Sequence, residues 1–173
     1  MLFNSTTFLI FLIIVFVVFW KTSKYSLRWG NVVLLTGSYI FYGWWDWRFL
    51  ILIIISSAID FFIGNQIFKS KNHRNRKLLL IASIAANLGM LFSFKYFNFF
   101  IDSFKTLVAP FAATDQWSAL NIILPVGISF YTFQTLSYTI DIYNRKTEPA
   151  QSALSFFTFV AFFPQLVAGP IER

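Results

Sequence analysis

The chain has 173 residues, of which 57% are hydrophobic and only 12% are charged, and it carries a net charge of +7. Soluble globular domains have about 25% charged residues, so this composition predicts a protein in contact with membrane lipid. Its basic residues lie in short loops between apolar runs, which argues against a nucleic-acid partner. The absence of cysteine excludes a disulfide, a thiol nucleophile and cysteine-ligated zinc, and because the chain has a single histidine we expect no metal site.

Five apolar runs are predicted to be transmembrane helices, at about 2–20, 30–45, 49–68, 78–100 and 122–143. The first run is not expected to be a cleavable signal peptide, because positive charges follow it and do not precede it. The second run ends in a cluster of Trp, Tyr and Phe, which favour the bilayer interface. The segment after the fourth run contains Pro110 and polar residues, and we expect it at the outer surface.

The loops between these runs differ in charge. The loop at 21–28 carries three Lys or Arg residues and the loop at 69–77 carries five, whereas the alternate loops are nearly balanced. Because an excess of Lys and Arg marks the cytoplasmic side of a membrane protein, both basic loops are predicted inside. The N-terminus is therefore predicted outside.

The fifth helix carries a polar stripe. At helical spacing, five side chains fall within about a third of its circumference: Tyr131, Gln134, Thr135, Tyr138 and Asp141. Such a stripe either holds helices together or lines a cavity. The broken helix that follows favours a lined cavity. Because Pro125 suits the first turn of a helix, this helix is expected to begin there and to end near Tyr143.

The last segment, 151–169, is predicted to be a broken helix. Pro164 removes a backbone hydrogen bond and clashes with the carbonyl of Val160. The thirteen residues before it would cover only about 20 Å of a hydrocarbon core of about 30 Å. Because broken backbone at membrane depth needs protein or a water-filled cavity beside it, we predict a kinked or re-entrant element with Gln165 facing a polar region.

Other polar residues lie inside the predicted spans. Asp60 either marks an ion, proton or substrate pathway or is a packing carboxylate bonded to neighbours such as Ser56; we favour packing. Ser83 and Asn87 are expected to form hydrogen bonds between helices. Lys95 has a long aliphatic stem and is expected to reach the nearby headgroup layer.

The strings LPVGISFYTFQTLSYTIDIY at 124–143 and FPQLVAGPIER at 163–173 resemble the membrane-bound O-acyltransferase superfamily, in particular its bacterial alginate O-acetyltransferase branch. NVVLLTGSYIFYGWW and FKYFNFF extend the resemblance over essentially the whole chain. It implies an all-α polytopic membrane protein, with residues 1–173 as the N-terminal portion of one transmembrane domain. In that domain, a ring of helices surrounds a tunnel between the cytoplasmic and outer sides.

The same resemblance implies an enzyme of the bacterial cytoplasmic (inner) membrane. Its reaction transfers an acyl group, typically acetyl, to hydroxyls of an exported polysaccharide or cell-envelope polymer. The donor would be acetyl-CoA or another acyl carrier, with no resident cofactor, and periplasmic or extracellular partner proteins are expected. The sequence patterns alone leave two alternatives: a transporter or channel component, since broken helices also mark transport paths, or an inactive truncated fragment.

No residue here matches the catalytic histidine of that family. His73 lies in a solvated basic loop, so the catalytic histidine is expected beyond Arg173 and this chain alone is expected to be inactive. Gln165, Pro170 and Arg173 match the family's FPQ and GPIxR strings; Gln165 would orient a substrate and Arg173 would neutralise its charge. The candidate tunnel-lining residues are Tyr131, Gln134, Tyr138, Asp141, Gln165, Pro170 and Arg173.

Overall fold

The computed structural model describes residues 5–108, 125 and 127–168. The helices are α1 (Thr6–Ser23), α2 (Leu27–Lys69), α3 (His73–Leu91), α4 (Phe97–Val108), α5 (Ile128–Tyr143), α6 (Ala153–Ala161) and α7 (Phe163–Ala168). One π-helical stretch, Phe92–Tyr96, joins α3 to α4. The described residues contain no strand, and the predicted all-α fold is confirmed.

Three stretches are long and apolar enough to cross a membrane: Thr6–Ser23, Asp46–Lys69 and His73–Tyr96. They overlap the predicted spans at 2–20, 49–68 and 78–100, so the chain is a polytopic helical membrane protein. The predicted spans at 30–45 and 122–143 do not reach this measure of length and hydropathy, and they stay predictions. Of the second of these, the structure describes a helix of 16 residues, about 24 Å long.

Helix α2 is broken at Asp46, whose extended backbone (φ −159°, ψ 115°) divides it into a first arm, 27–45, and a second arm, 46–69. The Asp46 carboxylate accepts hydrogen bonds from the backbone N–H of Arg48 at 2.9 Å and from its Nε at 3.3 Å. The side chain thus caps the second arm, because it satisfies one of the amides that have no partner within a helix. The break lies between the two predicted spans 30–45 and 49–68.

The second arm of α2, α3 and α5 pack together as a three-helix bundle. At one level Asn87 of α3 accepts hydrogen bonds from Ser56 of α2 and from Thr135 of α5. At the next level towards the α5 C-terminus, Asp60 meets Ser83. The second arm therefore runs parallel to α5, and α3 runs antiparallel to both.

A glycine allows α2 and α5 to approach closely within this bundle. A Cβ atom added to Gly64 would lie 2.9 Å from Tyr138 Cε1 and 3.0 Å from Ile142 Cδ1. Two helices in lipid gain no hydrophobic free energy by meeting, so close packing of this kind contributes much of their association.

The predicted break in the last segment is present, but its position differs. Helix α6 ends at Ala161, because Phe162 leaves the helical conformation (ψ 108°), and Pro164 lies in the first turn of α7. There the missing N–H costs little, since the first amides of a helix have no partner within it. The Phe163 N–H is one such amide, and it donates to Ser38 Oγ of α2 at 3.3 Å. At about 14 Å and 9 Å, neither α6 nor α7 spans a bilayer.

The expected start of α5 at Pro125 is wrong, because the helix begins at Ile128. Gly127 has a left-handed backbone (φ +76°), which lies outside the α-helical region and which glycine adopts without strain. The helix therefore starts only after this residue. Gly127 also contacts α7, since an added Cβ would lie 2.7 Å from the Leu166 carbonyl oxygen.

Most basic residues gather at one end of the structure. Ten of the fourteen Lys and Arg residues lie in the segments 21–28, 69–77 and 145–146. Arg76 donates to the Tyr143 carbonyl and joins the second segment to the C-terminus of α5. Asn31 donates to Ser155 Oγ at 3.3 Å and brings the start of α2 to the start of α6, which follows the third segment. We call this surface the basic end.

Candidate functional site

Helix α5 carries the predicted polar stripe, and two of its members face α6. Gln134 Nε2 donates to the Phe159 carbonyl at 3.3 Å. The Tyr138 hydroxyl accepts from the Ala150 N–H at 3.1 Å, and its ring lies 4.5 Å from the ring of Phe156. Both side chains therefore help to hold the short helix α6 against α5.

Tyr131 is the stripe residue with an unused polar group. Its side chain is fully buried in the core cluster that also contains Ile128 and Leu166, next to the α6–α7 break. Its hydroxyl has no hydrogen-bond partner among the described residues, and the same holds for the buried hydroxyl of the neighbouring Thr132. Buried polar groups nearly always have a partner, so such a pair needs an explanation.

The side of α5 that faces α3 contacts a buried polar cluster. We call Asp60, Ser83 and Asn87 the Asp60 cluster; all three are at most 2% exposed. Ser83 Oγ donates to Asp60 Oδ1 at 2.6 Å, and Asn87 Nδ2 donates to Asp60 Oδ2 at 2.7 Å. The predicted interhelical role of Ser83 and Asn87 is confirmed. Asp60 has the hydrogen-bonded neighbours that the packing alternative predicts, although Ser56 reaches it only through Asn87 Oδ1, at 2.9 Å.

Helix α5 joins this cluster through two threonines. Thr135 Oγ1 donates to Asn87 Oδ1 at 3.4 Å, and Thr139 Oγ1 lies 3.2 Å from Ser83 Oγ. Thr135 belongs to the predicted stripe, whereas Thr139 does not. The spacing of four residues between them was the signal, because it places both side chains on one helix face.

The remaining predicted site residues are spread along the chain. Asp141 is half-buried in the last turn of α5, near the basic end, about 15 Å along the helix from Tyr131. Gln165 is half-buried in α7. Pro170 and Arg173 lie outside the described residues. The structure thus groups Tyr131 and Gln134 with the α6–α7 break and separates Asp141 from them.

The structure also shows the surroundings of Lys95 and His73. Lys95 is exposed near the end of the third candidate span, with its Nζ 5.5 Å from the ring centroid of Tyr96. His73 is exposed at the basic end, where its Nε2 lies 3.4 Å from the Tyr143 hydroxyl. Arg76 also stacks over the Tyr143 ring at 5.1 Å. His73 and Arg76 therefore pack against Tyr143 at the C-terminus of α5, and the positive charge of Arg76 stabilises that end of the helix.

Comparison with known proteins gives consistent relatives. The chain is 37% identical over 174 residues to a probable alginate O-acetylase of Pseudomonas aeruginosa and 35% identical to that of Azotobacter vinelandii. All of this chain is covered in both cases, against 33% and 34% of the relatives. A peptidoglycan O-acetyltransferase of Helicobacter pylori is 32% identical over 80% of this chain and 30% of its own length.

The chain therefore spans about a third of the length of the curated relatives it matches. No family model matches the chain. No solved structure matches it either. These relatives are named for O-acetyl transfer to two different polymers, alginate and peptidoglycan.

Proposed function

The chain belongs to the alginate O-acetylase-like branch of the membrane-bound O-acyltransferases, and from this relationship we propose that it functions in the O-acetylation of an exported polysaccharide or cell-envelope polymer. The observation that carries the proposal is identity of 30–37% over the whole chain to five proteins named as alginate O-acetylases. Acetyl-CoA or another acyl carrier is the proposed donor, and a polymer hydroxyl is the proposed acceptor.

The proposed site is a tunnel wall formed by α5 and the α6–α7 break. Two features support it: the unpartnered Tyr131 hydroxyl, and the two helices α6 and α7 that are each too short to cross a bilayer. An acyl carbonyl gains negative charge when a hydroxyl attacks it, and a fixed donor in a dry site stabilises that charge. In this proposal Tyr131 is the donor, and Gln134 and Gln165 orient the substrate.

The other candidates have weaker support. Tyr138 and Asp141 lie on the same helix towards the basic end, where a donor would enter. Pro170 and Arg173 remain candidates on the resemblance of their strings alone. The hydroxyl that attacks must lose a proton to a general base, and none of these candidates is proposed for that role.

The proposed topology places the basic end in the cytoplasm and the N-terminus outside, in the bacterial inner membrane. The clustering of ten basic residues at one end supports this orientation. The acyl donor would then approach from the basic end, and the polymer, with periplasmic or extracellular partner proteins, from the other.

The test is acetyl transfer from a labelled donor to polysaccharide, measured in membranes from a deletion strain complemented with the gene. We expect the deletion to abolish polymer acetylation. Tyr131→Phe should lower turnover by at least about 10-fold, because it removes one hydroxyl donor and preserves the ring. Gln66→Leu, on an exposed position of α2, is the matched control and should leave turnover unchanged. Undiminished acetylation in the deletion strain would refute the function, and wild-type turnover in Tyr131→Phe would refute the role of Tyr131.

A further inference from the structure

The Asp60 cluster lies where three helices pack together: the second arm of α2, α3 and α5. Each carboxylate oxygen of Asp60 accepts one hydrogen bond from α3, at 2.6 Å and 2.7 Å. Two hydrogen bonds to a carboxylate therefore join α3 to the second arm of α2. Among the described residues the ion pair is that of Asp46 with Arg48, and Asp60 has no cationic partner there. The carboxyl group therefore depends on these donors for its solvation.

Helix α5 is held to this cluster through hydroxyl groups. Thr135 contacts Asn87, and Thr139 contacts Ser83, so each α3 residue that solvates Asp60 also touches α5. In lipid, helices associate by close packing and interhelical hydrogen bonds, because lipid tails are as apolar as the side chains. Both kinds of contact hold α5 here: the close packing at Gly64 of α2 and the hydrogen bonds to the cluster.

The cluster is close to the proposed site along α5. Thr135 directly follows Gln134 and lies one helical turn, about 6 Å, from Tyr131. A rotation of α5 by one residue turns its faces by about 100° and would remove Gln134 from the Phe159 carbonyl and Tyr131 from the α6–α7 break. Contacts that set the rotation of α5 therefore set the positions of both residues.

We propose that Asp60, Ser83 and Asn87 are positioning residues, which fix the rotation and depth of α5 and thereby aim Tyr131 and Gln134 at the substrate. This inference deepens the proposed acyl transfer and rests on it for the activity, but the placement of α5 can be measured independently. Asp60 acts here through its two hydrogen bonds and not through contact with a substrate.

The experiment uses the absence of cysteine in the chain. Cysteines replace the exposed residues Phe62 on α2 and Phe133 on α5, and nitroxide labels on them report the distance between the helices by pulsed electron paramagnetic resonance. Asp60→Leu should broaden or shift this distance distribution, because it removes the two carboxylate oxygens that accept from Ser83 and Asn87. Asp60→Asn keeps an oxygen acceptor and adds a donor that Ser83 accepts, so it should restore the narrow distribution.

Acetyl transfer by the same gene in membranes is measured in parallel. We expect Asp60→Leu to lower turnover by about 100-fold, as small misplacements of reacting groups do, and Asp60→Asn to stay within about 10-fold of the wild type. Thr158→Val is the matched control, because it removes a buried hydroxyl that joins α6 to the first arm of α2 at 3.2 Å and does not touch the cluster. It should leave the label distance unchanged.

An unchanged distance distribution in Asp60→Leu, or equal loss in Asp60→Asn and Asp60→Leu, would overturn the positioning role. A lowered melting temperature in Asp60→Leu with an unaltered distance would show a stabilising role only and would also overturn it. If the wild-type gene transfers no acetyl group, the proposed function fails, whereas the distance measurement still decides whether the cluster positions α5.

Discussion

Replacement of Gly127 by alanine tests the contact between the start of α5 and the α6–α7 break. Gly127 has φ +76°, and its added Cβ would lie 2.7 Å from the Leu166 carbonyl oxygen, which is backbone and cannot rotate away. A left-handed conformation costs an L-residue about 1–2 kcal/mol, and overpacking costs about 1–3 kcal/mol. We therefore expect Gly127→Ala to lower the free energy of unfolding by about 2–5 kcal/mol.

For a chain of this size, each kcal/mol changes the melting temperature by about 2–4 °C, so the expected decrease is about 4–20 °C. Thermal unfolding of the detergent-solubilised protein measures it. Gly89→Ala is the control, because an added Cβ there meets nothing within 4 Å and alanine is favoured over glycine in a helix by about 1 kcal/mol. Gly89→Ala should therefore raise the melting temperature. If Gly127→Ala does not lower it, the proposed close contact is wrong.

Two further substitutions address the packing of the site. Gly64→Ala gains about 1 kcal/mol of helix propensity, but its Cβ would lie 2.9 Å from the ring of Tyr138, which Ala150 and Phe156 hold in place. Because overpacking costs about 1–3 kcal/mol, thermal unfolding should show a net loss of stability of about 0–2 kcal/mol. A gain as large as that of Gly89→Ala would contradict this reasoning. Ser38→Ala leaves the buried N–H of Phe163 at the start of α7 without a partner. It should lower the free energy of unfolding by about 1–3 kcal/mol in the same assay, and a neutral result would mean that another group satisfies that amide.

The positions of the helix breaks were partly predictable. Asp46 between two apolar runs is a good capping residue, and the structure uses it as a cap. Pro164 predicted a broken last helix, but a proline disturbs the turn before it, and here the chain leaves the helix at Phe162. The start of α5 was misplaced, because Pro125 suits a first turn and only the backbone of Gly127 shows that the helix has not begun.

The polar stripe shows the limit of helical spacing as a predictor. Of the residues that it groups, Gln134 bonds to the Phe159 carbonyl of α6, whereas Tyr138 contacts both Phe156 of α6 and Gly64 of α2. It also included Thr135, whose hydroxyl contacts Asn87 on α3. A helical wheel gives the angle between side chains, but the number and placement of neighbouring helices decide which angle faces which partner.

The amino-acid sequence by itself determined that this is an all-α membrane protein, where three of its apolar spans lie and which family it resembles. These follow from local properties: hydropathy, charge in loops, helix-breaking residues and short strings. Only the tertiary structure decided that Asp60 is bonded to α3, that Thr139 meets Ser83 and that Tyr131 is buried without a partner. Such contacts join residues 23 to 56 positions apart, and they depend on how helices pack, which no local pattern encodes.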